Sequence, residues 1–274
     1  MIKKDEIFAR LHQLPAMPVV VQEVMASFRN DNLDSAILAH KIAQDQGLSA
    51  KVLRVANSSF YGMPRKIGSI QDAVTVMGFN SVRSLVLSAG FVHAFPPVSH
   101  SLFDRAAYWK RSFRVAHYAK ALAQCMRQGQ QTAFTAGMFY EIGQLVLDVC
   151  APEQFANILQ QQKTFGLDLV EVEQSQLGFD HIEVGAEMAR RWNFPPEIEH
   201  VIRYWRTPER EPFEPVTGMV HVAALLESGL SGEDLMAHLQ DILRDRLKIS
   251  WERIEGCLPE LDQLDAMVNM MLVA

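Results

Sequence analysis

Apolar residues along this chain recur at three- and four-residue spacing almost from end to end, the period of amphipathic helices rather than of strands. Ile7, Leu11 and Leu14 form one stripe, and Val20, Val21, Val24, Met25 and Phe28 form the next. Pro15 and Pro18 fall between them, where proline stops one helix and opens another. Asn30, Asp31 and Asn32 break the second stripe. Asp34 is a suitable N-cap for a third helix running to a stop at Gly47, and LSAKVLRVANSSFYG begins a fourth. After the loop MPRKIGS, Ser69 with Asp72 predicts a capped helix through Ile70, Ala73, Val74 and Met77 that closes at Gly78. One more helix runs to Phe95, ahead of Pro96 and Pro97.

In the second half, a long helix is predicted from His100 to about Met126 with two stripes. Trp109, Phe113 and Ala116 make one; Arg111, Val115, Tyr118 and Leu122 make the other, which turns Arg111 partly inward. The stretch Thr132 to Val149 reads as a single buried central helix. Phe134, Met138, Glu141, Leu145 and Asp148 share its apolar row, and Gly137 and Gly143 let a neighbouring backbone come close. A carboxylate in an apolar row requires a partner. Helices then follow at 152–162, around 169–177 and at 181–192, the last capped by Asp180 with Glu183. Another starts after Pro195 and Pro196, one covers 220–227, and two amphipathic stretches end the chain. The expected fold is all-α: two packed helical bundles, over residues 1–97 and 98–274.

Composition narrows the function classes. A chain of 274 residues, 49% of them hydrophobic, has ample material for a large core. A formal charge of −6 supplies no broad basic field, which disfavours nucleic acid as a partner. Ile70 to Phe95 has the outline of a DNA-reading helical hairpin, but its second helix offers only Arg83 and a few serines to a groove, so packing is the better account. Cys125, Cys150 and Cys257 are widely separated and odd in number, and are expected to be reduced, buried thiols. The opening MIKKDEIFARLHQ is too charged for a signal peptide, and Val82 to Phe95, interrupted by Arg83 and His93, is short for a membrane span. A soluble cytoplasmic protein is expected. His117, His200 and His221 lack a partner at metal-binding spacing and read as ordinary surface or hydrogen-bonded histidines. Phosphate-binding, dinucleotide and serine-hydrolase motifs are absent from the sequence.

The run LPAMPVVVQEVMASFRN, then IAQDQGLSAKVLRVANSSFYG and IGSIQDAVTVMGFNSVRSLVL, resembles the HDOD domain, a helical module of bacterial signalling proteins. Leu53, Arg54, Val55, Ala56, Asn57, Ser58, Phe60, Tyr61 and Gly62 match its most recognisable motif. These residues include no base or thiol able to activate a nucleophile, so Arg54, Asn57, Ser58, Tyr61 and Gly62 are expected to be structural, with Asn57 and Ser58 capping backbone groups. HDOD domains are related to the HD phosphohydrolases. By that resemblance, an active member would hold a metal through a His on the long helix, an adjacent His-Asp pair and a later Asp. Here those positions carry Arg111, the pair Tyr140 and Glu141, and Ala224; His181 alone matches a position commonly histidine. No metal and no cofactor are expected. Arg111 and Glu141 are expected to pair across the lost site, with His181 or Tyr140 hydrogen-bonding nearby. The resemblance implies a non-enzymatic module that binds signalling proteins, such as a receiver, kinase or nucleotide-cyclising domain, or a second copy as a homodimer. Two alternatives are a phosphohydrolase with an unusual metal site and a nucleotide receptor using the empty cavity.

Overall fold

The computed structural model describes residues 4–11, 14, 17–27, 35–58, 61–63, 65–95, 101–210 and 212–272. Phe28, Phe60, Asp34, His100 and the prolines Pro15, Pro96 and Pro97 lie outside them. Among the described residues there are helices and no strands, so the all-α expectation holds.

The first half contains α1 (Lys4–Arg10), α2 (Val19–Ala26), α3 (Ser35–Gln44), α4 (Gln46–Ala56), α5 (Ile70–Met77) and α6 (Phe79–Ala94). The third helix stops sooner than expected. Asp45 leaves the helical region and accepts a hydrogen bond from the Leu48 amide at 2.9 Å, so it caps α4 and puts Gly47 inside that helix. Ser69 caps α5 as predicted, bonding the Asp72 amide, and Gly78 at φ +84° joins α5 to α6 in one residue. Arg83, the residue a DNA groove would have needed, is instead buried, with its guanidinium near Ser27 and the Phe79 ring.

The second half opens with α7 (Arg105–Cys125), then α8 (Gln130–Phe139), α9 (Ile142–Cys150), α10 (Pro152–Phe165), α11 (Leu169–Leu177), α12 (His181–Arg191), α13 (Pro196–Tyr204) and α14 (Pro215–Glu227). It closes with α15 (Gly232–Asp241), a π-helical turn at Ile242–Leu247, α16 (Trp251–Glu255) and α17 (Leu261–Leu272). The predicted central helix is in fact two. Glu141, at φ −113° and ψ 23°, leaves the helical region and divides α8 from α9. The element that the half is packed around is α7, which touches α8, α14, α16 and α17.

The two glycines act as expected. A Cβ on Gly137 would lie 2.8 Å from the Ala116 Cα of α7, and one on Gly143 would lie 1.8 Å from the His181 carbonyl oxygen at the start of α12. Backbone therefore meets backbone at both places.

The two halves share one seam. Phe91 and Phe95 of α6 pack with Phe139, Trp192 and Phe194, the closest ring centroids being 4.1 Å apart. Polar contacts cross it as well: Arg10 donates to the Cys150 carbonyl at 2.9 Å, Ser84 to Gln131 at 2.8 Å, and Lys4 pairs with Glu183. Asp148, the second carboxylate in the apolar row, is 1% exposed and meets Arg105 and Ser101.

The cysteines depart from expectation. Cys125 at the end of α7 is joined to Cys257 by a disulfide, and Cys257 is exposed; only Cys150 is a buried free thiol as predicted. Tertiary folding brings together two residues 132 positions apart, which spacing could not indicate.

Candidate functional site

Near the HDOD-like motif, Asn57 works as a backbone clamp. Its side-chain amide donates to the Leu53 and Ile67 carbonyls at 2.8 and 2.9 Å, and its carbonyl accepts from the Ile67 amide at 2.8 Å. The far end of the connecting loop is thereby tied to the end of α4. Gly62 has φ +53°, Tyr61 is half-buried with its phenol pushed up by burial, and Arg54 is exposed. Ser58 does not cap as expected: it is buried, and its hydroxyl has no hydrogen-bond partner among the described residues.

The other five candidates, Arg111, Tyr140, Glu141, His181 and Ala224, line one cleft of about 480 Å³. Four elements bring them there. Arg111 projects from the middle of α7, Tyr140 and Glu141 occupy the break between α8 and α9, His181 opens α12, and Ala224 sits on α14. The break matters, because leaving the helix frees the Glu141 carboxylate from the apolar row and turns it to the cleft.

Arg111 reaches Glu141 with Nη2 at 2.9 Å and Nε at 3.1 Å, and Gln144 with Nη2 at 3.3 Å. The expected pairing is therefore present. The Glu141 carboxylate holds the guanidinium pKa above its ordinary value against the effect of burial. Tyr140 is fully buried, edge-on to Trp205 at 4.8 Å, and burial followed by the Glu141 charge raises its phenol well above the usual range.

Of the two residues expected to hydrogen-bond near the pair, Tyr140 does so and His181 bonds Glu173 instead. Its backbone amide and Nδ1 both meet one oxygen of Glu173 in α11, at 2.9 and 2.7 Å, and both residues are buried. Burial disfavours the imidazolium, but Glu173, then Glu141 and Asp180, outweigh it and raise the pKa above 6.5. His181 Nε2 and Glu173 Oε1 have no hydrogen-bond partner among the described residues.

Sequence reasoning missed Glu173, although a signal existed. Leu169, Glu173 and Leu177 stand at i, i+4, i+8, the same carboxylate-in-an-apolar-row pattern that singled out Glu141. It also missed Asp168 and Arg206, which form a two-point pair at 3.1 and 2.8 Å on the cleft rim, and Glu227, held by Arg114 at 2.8 Å. The remaining histidines are structural by geometry. His117 bonds the Phe113 carbonyl at 2.9 Å, with burial pushing it down to about 4, while His200 meets Thr217 and His221 meets the Trp205 carbonyl.

As a metal site the donor set does not fit. Arg111 puts a cation beside Glu141, and Ala224 has no donor atom, so of the cleft positions only His181 offers a free ring nitrogen, Nε2. Among the described residues no three His, Cys, Asp or Glu side chains gather as a ligand set.

Known proteins give this geometry a context. The chain is 27% identical to a candidate phosphohydrolase from Shewanella amazonensis SB2B, with a TM-score of 0.81 over 97% of this chain and 98% of that one. An HDOD domain protein of unknown function from Geobacter sulfurreducens has the same fold, at 21% identity and TM-score 0.79 over 98% and 96% of the two chains. So does a candidate signal transduction protein from Marinobacter aquaeolei VT8, at 23% identity and TM-score 0.77, over 98% of this chain and 65% of that one. A Treponema pallidum protein without a characterised function is 24% identical over 232 residues, 82% of this chain, which spans only 44% of that relative's length. The HDOD domain family model matches residues 14–208, from before α2 to beyond the cleft residues Trp205 and Arg206, and by that match the chain belongs to the HDOD family.

Proposed function

We propose that the chain is a non-enzymatic regulatory module that signals by binding other proteins, its metal site replaced by an ion pair. The observation that carries this reading is the Arg111–Glu141 contact, 2.9 Å long, at positions where the resemblance puts a metal ligand and the His-Asp pair. A guanidinium stays charged across the physiological range and repels a divalent cation from the same few ångströms. Partners of fitting kind are receiver, kinase or nucleotide-cyclising domains, or a second copy of the chain. Nucleic acid and membrane fall outside the proposal: Arg83 is buried, the chain carries a charge of −6, and no described helix is long and apolar enough to cross a membrane. A cytoplasmic setting belongs to the same proposal.

The test uses the intact protein. After incubation with Mn²⁺ or Mg²⁺ and dialysis, metal content and hydrolysis of a chromogenic phosphodiester are measured, and a pull-down identifies bound proteins. Substoichiometric metal, no turnover and a recovered signalling protein are expected. Stoichiometric metal with turnover would overturn the proposal.

A second reading draws on one feature of the cleft: the Arg111 side chain is 38% exposed beside the unpartnered His181 Nε2. Under it, the cavity receives an anionic nucleotide. A thermal-shift screen would then show a rise of several degrees with one nucleotide and none with the others.

A further inference from the structure

We infer that the Cys125–Cys257 bridge is a thiol-responsive latch on a C-terminal clasp that spans both halves of the molecule. The clasp is the segment from α16 through α17, which lies beyond the family match ending at residue 208. Helix α17 packs on α4 and α6 of the first half and on α7 of the second. Leu264 and Val268 are fully buried in that contact, as is Ile254 of α16.

Polar contacts hold the clasp at two stations. Asp265 takes a two-point contact from Arg114 at 2.8 and 2.7 Å and a third bond from Lys110 at 2.7 Å. At the end of α7, Arg253 Nη2 donates to the Cys125 carbonyl at 2.7 Å, beside the disulfide. The first station reaches further, because Arg114 also holds Glu227 of the cleft wall at 2.8 Å. Loosening α17 therefore frees a partner of the residue that positions Glu227.

Accessibility is what opens the bridge to thiol exchange. Cys125 is buried, while Cys257 lies in the exposed turn after α16, where a small thiolate can approach its sulfur. The reductant is glutathione. A glutathione thiolate attacks the Cys257 Sγ, the Sγ–Sγ bond breaks, and Cys125 leaves as a thiolate that takes up a proton. A second glutathione thiolate then displaces Cys257 from the mixed disulfide, giving glutathione disulfide and a free Cys257. Two glutathiones thus lose the two electrons that the bridge gains, and glutathione disulfide drives the reverse.

The experiment equilibrates the intact protein in glutathione buffers of fixed ratio. Free thiols are quenched, linked peptides are mapped by mass spectrometry, and backbone hydrogen exchange is followed. A linked 125–257 peptide pair is expected in oxidising buffer and its loss in reducing buffer. Exchange in residues 251–272 should quicken at least tenfold on reduction, with a smaller rise at 224–228 and unchanged far-UV circular dichroism. Cys257→Ser should behave as the reduced protein does, and the reduced wild type gives the same comparison without any substitution. Absence of the linked pair at every ratio, or equal protection of 251–272 in both buffers, would overturn the inference.

Discussion

Two arginine–carboxylate pairs leave the same half of this chain with different energetic weight, because their burial differs. Arg105 and Asp148 are 9% and 1% exposed, whereas Arg111 and Glu141 are 38% and 12% exposed. Removing one member of a fully buried pair strands a charge, so Arg105→Leu should lower unfolding stability by about 3–5 kcal/mol in urea titration. Solvent screens the cleft pair, and a double-mutant cycle with Arg111→Met and Glu141→Gln should return a coupling of about 1 kcal/mol. The buried histidines act in opposite pH windows. His181 has a folded pKa above its unfolded value of about 6.5, so its contribution is complete below that value and is lost as pH rises through the folded pKa. Replacing Glu173 with Gln should flatten the resulting decline in urea midpoint as pH rises above about 6.5. His117 has its folded pKa depressed to about 4, so stability falls as pH drops from the unfolded value towards 4. His117→Gln should weaken that acid-side slope. Glu141 was identifiable from its row; its partner was legible too, since Arg111 lies on an inward stripe of the preceding helix. Glu173 carried the same signature, but its partner, His181, opens the next helix, and only the turn between α11 and α12 brings the two together.

At the scale of elements, the join of α9 to α12 is the tightest in the second half. Gly143→Ala would gain up to about 1 kcal/mol of helix propensity, yet its Cβ would stand 1.8 Å from the rigid His181 carbonyl. The clash wins, because backbone cannot move aside as a side chain can. A net loss of about 3 kcal/mol or more is expected, read as a lowered midpoint in urea or as insoluble protein. Helical periodicity showed both helices at this join but ran α9 together with α8 through Tyr140 and Glu141. The apolar row continues across the break, so only backbone dihedrals reveal it. Asp45 presents the converse case: its capping bond, not the glycine two residues later, decides where α3 yields to α4.

At the scale of the whole molecule, the aromatic seam and the C-terminal helix join both halves, so they should unfold as one unit. The chain supplies a direct test, since all four tryptophans, Trp109, Trp192, Trp205 and Trp251, lie in the second half. With Trp192, which touches Phe91 and Phe95 of the first half, replaced by Phe, tryptophan fluorescence reports the second half, while circular dichroism reports both. The two urea transitions are expected to coincide, and a separation of midpoints would show that the halves unfold independently. By itself the sequence determined the helical fold, the Ser69 and Asp180 caps and the glycines at close approach, because each depends on spacing within a few turns of chain, while the cleft residues were legible through the resemblance to the HDOD domain. Only the tertiary structure decided which partner His181 takes, where the central helix breaks, and that Cys125 meets Cys257. The bridge depends on packing between segments far apart in the chain, and the other two on how consecutive helices turn against one another, neither of which a hydrophobic pattern encodes.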